Sequence, residues 1–273
     1  MSYLILGFIQ GLTEFLPVSS SGHLVITKFL LNLEIHGAAF ETFVHLGTSL
    51  AVIVLFRKDI LIILSSFFRS FTQIRSWKNF STYISENDHC KFGWLLIIST
   101  IPGAIIGFYF HTLFERLFSN PILTCFMFII TGFCLFFTDK YSIEGSKNIQ
   151  KATWIDALLI GFAQTFAIIP GISRSGFTIM MGLMRKFNRK IAAKYSFILS
   201  IPIIIGASIF KMNDIFHLSI NPLFFIGSGV TAFLSGYWAM TLFTKLLINY
   251  KLRFFSYYLW SIAIFILLFN IFR

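Results

Sequence analysis

The chain of 273 residues is 56% hydrophobic and only 12% charged, and its formal net charge is +11. Because soluble domains are about 25% charged, this composition excludes an ordinary soluble protein and predicts one all-α membrane domain covering 1–273. The excess of Lys and Arg does not indicate nucleic-acid binding, since these residues flank long apolar segments, where they orient membrane proteins.

The first apolar region, residues 3–32, is interrupted midway by polar and turn-forming residues between Pro17 and His23. Each half is shorter than the roughly 20 residues that a membrane-spanning helix needs. The region 155–187 is interrupted in the same way between Pro170 and Gly176. Both regions are therefore predicted to form re-entrant helical hairpins, each of which enters and leaves the membrane on one side.

Six uninterrupted apolar segments have about the length needed to cross a bilayer, which is roughly 20 residues. They cover 39–56, 92–110, 121–138, 190–210, 222–242 and 254–272. Residues 57–91, between the first two, contain several Lys and Arg and are predicted to form a cytoplasmic loop. The fold class is thus predicted to be a polytopic helical membrane protein.

The two hairpin regions share a sequence pattern, which predicts an internal duplication with repeats 1–138 and 139–273. The matches, all at one offset of 154 positions, are Gly7-Phe8-x-Gln10 with Gly161-Phe162-x-Gln164 and Ser19-x-Ser21-Gly22 with Ser173-x-Ser175-Gly176. Each repeat holds one hairpin and three crossings. Because three is an odd number of crossings, the second repeat begins on the opposite side of the membrane and is predicted to be inverted. Inverted repeats commonly place a ligand site at their interface.

The distribution of basic residues predicts the orientation. If residues 57–91 are cytoplasmic and both hairpins are re-entrant, 17 of the 22 Lys and Arg lie on the cytoplasmic side. This agrees with the positive-inside rule. The first hairpin is then predicted to open to the outer face and the second to the inner face, with their polar tips meeting inside the membrane.

The first hairpin tip carries residue types suited to phosphate chemistry. Gln10 and Glu14 are four residues apart, so they share one helix face, and their oxygens are the ligands that hard divalent cations prefer. Hydroxyl and free N–H groups at a helix N-terminus favour phosphate, and a run of serines begins the second half-helix: Ser19, Ser20 and Ser21. His23, one turn further on, is a candidate general acid, general base or nucleophile.

The second tip supplies Ser173, Arg174 and Ser175 at the matching helix start. A guanidinium can hold a phosphate through two hydrogen bonds, and inside a membrane it is a functional candidate by default. A cation, a carboxylate, hydroxyls and an imidazole together provide the positioning and charge stabilisation that phosphoryl transfer needs.

Other readings of these residues are open at this point. Glu14 and Arg174 also fit a purely structural ion pair, and His23 fits a histidine in a wet cavity without a chemical role. Glu41 and His45 share a helix face and either extend the site or form a polar pair at a helix end.

Gln164 occupies the position that matches Gln10, and the second repeat has no acid that matches Glu14. We expect the Gln164 amide to hydrogen-bond the backbone of the broken helix. The asymmetry predicts that the first hairpin carries the chemistry and the second holds the anion.

At its two tips the chain resembles the undecaprenyl-diphosphatase family, the bacitracin-resistance type of bacterial membrane phosphatase. That family shows (Glu/Gln)-x-x-x-Glu, then Pro-Val-Ser-Ser-x-Gly-His, and later Pro-Gly-x-Ser-Arg-Ser-x-x-Thr. The corresponding segments here are Gln10-Gly-Leu-Thr-Glu14, Pro17–His23 and Pro170–Thr178. The resemblance implies removal of one phosphate from undecaprenyl diphosphate in the bacterial plasma membrane. This reaction recycles the lipid carrier for cell-wall synthesis and confers bacitracin resistance.

The resemblance also implies roles for individual residues. The catalytic group is Glu14, Ser20, His23 and Arg174, and either Ser20 or His23 is the nucleophile. Substrate contacts are expected from Ser19, Ser21, Ser173, Ser175 and Thr178. Glu14 and Gln10 are the expected ligands of a divalent cation, Mg²⁺ or Ca²⁺, although Gln10 stands where many members carry a second acid.

The main alternative is a transporter or flippase for the polyprenyl phosphate carrier or an anion, because such proteins are also built from inverted repeats and broken helices. A structural membrane subunit would leave Glu14 and Arg174 without a purpose. The expected partners are the polyprenyl diphosphate substrate and membrane lipid, with no nucleic acid, and a homodimer is compatible with the sequence.

Overall fold

The computed structural model describes residues 1–33, 39–73, 76–118, 120–141, 145–217, 220–249 and 251–272. Within these ranges the regular secondary structure is helical, apart from an isolated bridge between Lys147 and Phe187. The helices are α1 (Ser2–Glu14), α2 (Ser20–Leu30), α3 (Ala39–Leu55), α4 (Arg57–Ser70), α5 (Trp77–Glu86), α6 (Asp88–Tyr109), α7 (His111–Leu117), α8 (Pro121–Tyr141), α9 (Trp154–Phe166), α10 (Arg174–Met184), α11 (Arg189–Phe210), α12 (Met212–Phe216), α13 (Pro222–Asn249) and α14 (Arg253–Phe272).

Five helices in the described ranges, namely α6, α8, α11, α13 and α14, are long and apolar enough to cross a membrane. The remaining predicted span, 39–56, forms α3, whose 17 residues are at the lower end of the usual range of about 17–25. Large apolar side chains such as Phe126, Leu234 and Phe265 are exposed on these helices, as expected where lipid is the solvent. The prediction of an all-α polytopic membrane protein is confirmed.

The predicted loop 57–91 is helical instead, because it forms α4, a short 3-10 turn at Phe71–Gln73 and α5. Ile63 and Phe67 are four residues apart and lie against Gly93 of α6, so one face of α4 packs on the bundle. The many charges in this segment favoured a loop, but the apolar residues at helical spacing determine the structure.

The two interrupted regions form pairs of short helices, α1 with α2 and α9 with α10. Each break places the N-terminus of the following helix deep in the protein. Ser19 caps α2 with a φ of 66°, a left-handed conformation that strains a non-glycine residue by about 1–3 kcal/mol. Ser173 caps α10 with ordinary extended backbone.

The packing of the helices follows a paired pattern. Helix α1 packs on α13 and α9 packs on α6, while α3 contacts α13 and α11 contacts α6. Helix α8 packs against α14, and α3 packs against α11. If the chain is duplicated as predicted, α1, α3, α6 and α8 correspond to α9, α11, α13 and α14, and each of these six contacts has its counterpart among them. The pattern supports the inverted duplication, which remains a prediction.

The α1–α13 interface depends on Gly11, and this dependence can be tested. A Cβ at Gly11 would lie 2.0 Å from Ser235 Oγ and 2.4 Å from the carbonyl oxygen of Ala232. Gly11→Ala is therefore expected to force the helices apart and to lower stability by about 1–3 kcal/mol, as overpacking usually does. Thermal melting in detergent measures the effect. Gly206→Ala is the control, because a Cβ there meets nothing within 4 Å, and an equal loss in both variants would contradict the assignment.

Candidate active site

The tips of the two hairpins meet at an ion pair between Glu14, at the end of α1, and Arg174, at the start of α10. Arg174 Nη2 donates a hydrogen bond of 2.7 Å to Glu14 Oε1. The Arg174 side chain is only 13% exposed and the Glu14 side chain only 4%. Two residues 160 positions apart, each expensive to bury alone, are thus brought together inside the bundle.

Three polar groups lie close to the second carboxylate oxygen of Glu14. Ser20 Oγ donates to Oε2 at 2.5 Å, and Gln10 Nε2 donates to it at 2.8 Å. His45 Nε2 lies 3.3 Å from the same oxygen. The carboxylate is therefore fixed in orientation, and Ser20 is held with its proton directed at a potential base.

His45 was not among the residues assigned to catalysis from the sequence, although its spacing from Glu41 drew attention to the pair. Helix α3 carries His45 to Glu14, and its Nδ1 lies 2.6 Å from the backbone oxygen of Glu41. The Glu41 side chain instead accepts a hydrogen bond from Lys28. Only His45 of this pair thus joins the Glu14–Arg174 cluster.

Four serines shape the two helix N-termini. The hydroxyl oxygens of Ser19 and Ser173 accept hydrogen bonds from the N–H groups of Gly22 and Gly176 at 3.3 Å and 3.0 Å. The hydroxyls of Ser21 and Ser175 lie 3.2 Å and 3.3 Å from the respective capping serine. Ser175 also donates to the carbonyl of Leu16 at 2.8 Å, which ties one tip to the other.

A cavity of about 200 Å³ lies at this meeting point. Its polar lining consists of Glu14, Ser19, Ser20, Ser21, Thr42, His45, Gln164, Ser173 and Arg174. Two helix N-termini and a guanidinium favour an anion here. The cavity thus combines anion-binding groups with a hydroxyl already bonded to a carboxylate.

Ser175 and Thr178 do not line this cavity. Thr178 Oγ1 donates to the carbonyl of Arg174 at 2.8 Å and lies 2.6 Å from Ser196 Oγ. Arg174 Nη1 donates to the Ser196 carbonyl at 2.9 Å. The Ser196 carbonyl therefore helps to orient the guanidinium, and Thr178 links Ser196 to the Arg174 backbone. No motif in the sequence marked Ser196.

The structure does not bring His23 to the Glu14–Arg174 pair. One ring nitrogen, Nδ1, lies 2.8 Å from the Ser19 carbonyl oxygen and the other, Nε2, lies 2.9 Å from the Tyr258 hydroxyl. The His23 and Tyr258 rings stack at 5.7 Å between centroids and 5° between planes. Both nitrogens thus have partners within the protein, and His23 does not line the cavity.

Gln10 and Glu14 do not by themselves fit a resident metal ion. Glu14 already binds Arg174 through one oxygen and Ser20 and Gln10 through the other. The Gln10 oxygen is buried without a hydrogen-bond partner, so one amide oxygen is available. Across the described ranges no three Asp, Glu, His or Cys side chains converge on a metal site, whereas hard cations bind about six or more oxygens.

Gln164 differs from the expectation that its amide bonds the broken-helix backbone. Its amide nitrogen and oxygen are both buried and both lack a hydrogen-bond partner. The residue is 3% exposed and lines the cavity. The polypeptide turns at Ala167 through backbone bonds of its own, from Ala167 N to Gln164 O, so the side chain is not needed there.

The fold and the site define a polytopic membrane protein with a buried polar centre, in which a serine–carboxylate pair lies beside an arginine and two helix N-termini. The family described as bacitracin resistance protein BacA matches residues 3–265, and the chain belongs to this family.

Similarity to individual relatives extends over almost the whole chain. It is 37% identical over 272 residues to an undecaprenyl-diphosphatase of Alkaliphilus metalliredigens, with 98% of each chain covered. It is 42% identical over 264 residues to an undecaprenyl-diphosphatase of Thermosipho africanus, covering 97% of this chain and 98% of the relative. A relative of the same name in Methanosphaera stadtmanae is 35% identical over 265 residues, covering 97% and 95%.

Proposed function

We propose that this protein is an undecaprenyl-diphosphatase, which removes the terminal phosphate of undecaprenyl diphosphate and yields undecaprenyl phosphate and inorganic phosphate. Several relatives at 35–42% identity carry this name over nearly the full chain. The observation that carries the proposal is the contact of Glu14 with both Arg174 and Ser20 in one cavity. A phosphatase with a serine nucleophile uses such a paired hydroxyl and base, whereas a transporter has no need of one.

In the proposed reaction Ser20 is the nucleophile and Glu14 the base. The Ser20 oxygen attacks the terminal phosphorus while Glu14 accepts its proton, and the bond from that phosphorus to the bridging oxygen breaks. Undecaprenyl phosphate leaves. Water then attacks the phosphoserine, the serine–phosphorus bond breaks and Glu14 returns its proton to Ser20. One water proton stays on inorganic phosphate and the other is released.

Stabilisation of the transferring phosphoryl group is assigned to Arg174 and to the N-termini of α2 and α10. These groups are fixed before the substrate arrives, so their dipoles need no reorganisation during the reaction. Arg174 is held by Ser196 as well as by Glu14. It therefore keeps its position when Glu14 accepts a proton and loses its charge.

A divalent cation, Mg²⁺ or Ca²⁺, belongs to this proposal only as a partner of the substrate. Such an ion, when bound, would neutralise charge on the diphosphate. Because the site offers one carboxylate that is already paired with Arg174, the diphosphate oxygens would supply most of its ligands. None of the steps assigned to Ser20, Glu14 or Arg174 depends on the ion.

We place the reaction at the outer face of the membrane. The charge distribution of the sequence predicts that the segment around Arg116 and the loop at Lys211 lie outside. The cavity is lined by Phe118, just after α7, and by Ala207, near the end of α11 that leads to Lys211. It therefore lies towards the predicted outer end of the bundle. A homodimer remains a prediction from the sequence.

Purified protein in detergent tests the function directly, because no membrane barrier is present. We expect it to release inorganic phosphate from undecaprenyl diphosphate, and we expect Glu14→Gln to release it at least about 100-fold more slowly, since general-base catalysis contributes about 10²–10⁴-fold. Gln keeps the shape and the hydrogen bond to Ser20 but removes the charge. A transporter would bind the lipid and release nothing, and a folded Glu14→Gln variant with native activity would contradict the site.

A further inference from the structure

We infer that Gln164 binds the phosphate group that remains attached to the lipid, at the junction between the polar cavity and an adjoining apolar cavity. This inference rests on the proposed function and gives a substrate-positioning role to a residue for which the sequence predicted only a hydrogen bond to the backbone. It starts from an unusual observation, namely an amide that is 3% exposed and has no partner at either polar atom.

The apolar cavity has a volume of about 520 Å³ and lies between α6, α7 and α11. Most of its lining is apolar, including Phe108, Phe114 and Phe210. It shares six lining residues with the polar cavity, namely Thr42, Phe118, Gln164, Ile168, Ile203 and Ala207. The two spaces are therefore adjacent along a common wall, and Gln164 belongs to both.

A polyprenyl diphosphate is polar at one end and apolar at the other, like the two adjoining cavities. The part of its hydrocarbon chain nearest the diphosphate can enter the apolar space, while the rest lies in lipid, and its terminal phosphate fits the end that holds Arg174 and Ser20. The phosphate that is bonded to the lipid must then lie between them. Gln164 is the amide at that position. Its Nε2 is buried, so we expect a rotation of the side chain to bring it to a phosphate oxygen.

The lack of partners at Gln164 supports a ligand rather than a structural role. A buried polar group without a hydrogen bond costs about 1–3 kcal/mol, and native proteins keep few of them. Gln10, its counterpart in the predicted duplication, satisfies its amide nitrogen on Glu14. Gln164 has no such use within the protein, so its hydrogen bonds are available to the substrate.

The critical variant is Gln164→Met, which keeps the length of the side chain and removes its polar atoms. We expect the KM for undecaprenyl diphosphate to rise about tenfold or more, because hydrogen bonds to charged groups contribute that much. We expect kcat to change much less. The melting temperature in detergent should stay the same or rise, since a partnerless buried amide is removed.

Product inhibition tests which phosphate group of the substrate contacts Gln164. Undecaprenyl phosphate, the product that retains the lipid-attached phosphate, should inhibit Gln164→Met more weakly than the wild type. Inorganic phosphate, which corresponds to the transferred group, should inhibit both proteins equally. Ser208→Ala is the control: Ser208 is buried on α11 and donates to the Ile204 carbonyl at 2.8 Å, so its loss should leave KM and both inhibition constants unchanged.

Two outcomes would overturn the inference. A folded Gln164→Met enzyme with native KM and native inhibition by undecaprenyl phosphate would show that the amide does not contact substrate. A parallel fall in melting temperature and activity would assign Gln164 a structural role. Either result leaves phosphate release by the wild type intact, whereas a wild type that releases no phosphate contradicts the proposed function itself.

Discussion

Arg174→Lys is expected to lower kcat for phosphate release at least about 100-fold, because a transition-state arginine is worth about 10³–10⁵-fold in phosphoryl transfer and lysine lacks its planar fork. Arg174 donates through Nη2 to Glu14 and through Nη1 to the Ser196 carbonyl. A lysine ammonium keeps the charge but cannot satisfy both partners and a phosphate in the same geometry. Arg174→Ala is expected to lower kcat further than Arg174→Lys, because it also leaves Glu14 buried without its main counter-charge.

The experiment must separate catalysis from folding, and the chain offers a matched control. Arg185 lies directly after α10, and its Nε donates to Asp156 at 2.7 Å. Arg185→Lys thus perturbs an arginine–carboxylate pair at the opposite end of the same helix. We expect it to leave kcat unchanged. If Arg174→Lys melts like the wild type and retains wild-type kcat, Arg174 serves only as a structural ion pair.

The sequence was sufficient to predict the helices that cross the membrane and the two broken hairpins. Long apolar segments have few alternatives in lipid, because every backbone polar group must be satisfied within the segment. The convergence of Glu14 and Arg174 could also be anticipated, since the matched motifs at Ser19 and Ser173 predicted facing tips. These features follow from local sequence pattern and from the predicted duplication.

The remaining features depend on packing that a linear pattern does not specify. His45 reaches Glu14 because α3 lies beside α1, and its spacing from Glu41 gave no indication of which side chain would turn to the site. His23 belongs to the same motif as Ser20, yet one turn of helix directs it to Tyr258. Gln164 was expected to bond backbone, and only the positions of all its neighbours reveal that its amide has no partner.

The choice between Ser20 and His23 as nucleophile leads to the second large effect. Ser20→Ala is expected to reduce phosphate release by about 10³-fold or more, because the attacking oxygen is removed and only binding and charge stabilisation remain. His23→Gln should reduce it far less, since the imidazole contacts Ser19 and Tyr258 and does not line the cavity. Tyr258→Phe, which removes only the hydroxyl bonded to His23, should have the smallest effect of the three.

Chemical trapping decides the question independently of rates. With substrate labelled in its terminal phosphate, a rapid acid quench should leave label on the wild-type protein, because phosphoserine survives acid. The label should be absent from Ser20→Ala and present in His23→Gln. Phosphohistidine has the opposite stability, so label that survives base and is lost in acid would assign the nucleophile to His23. That result would also require the His23 ring to leave Tyr258 and turn to the cavity, a movement for which the contacts at Ser19 and Tyr258 provide no driving force.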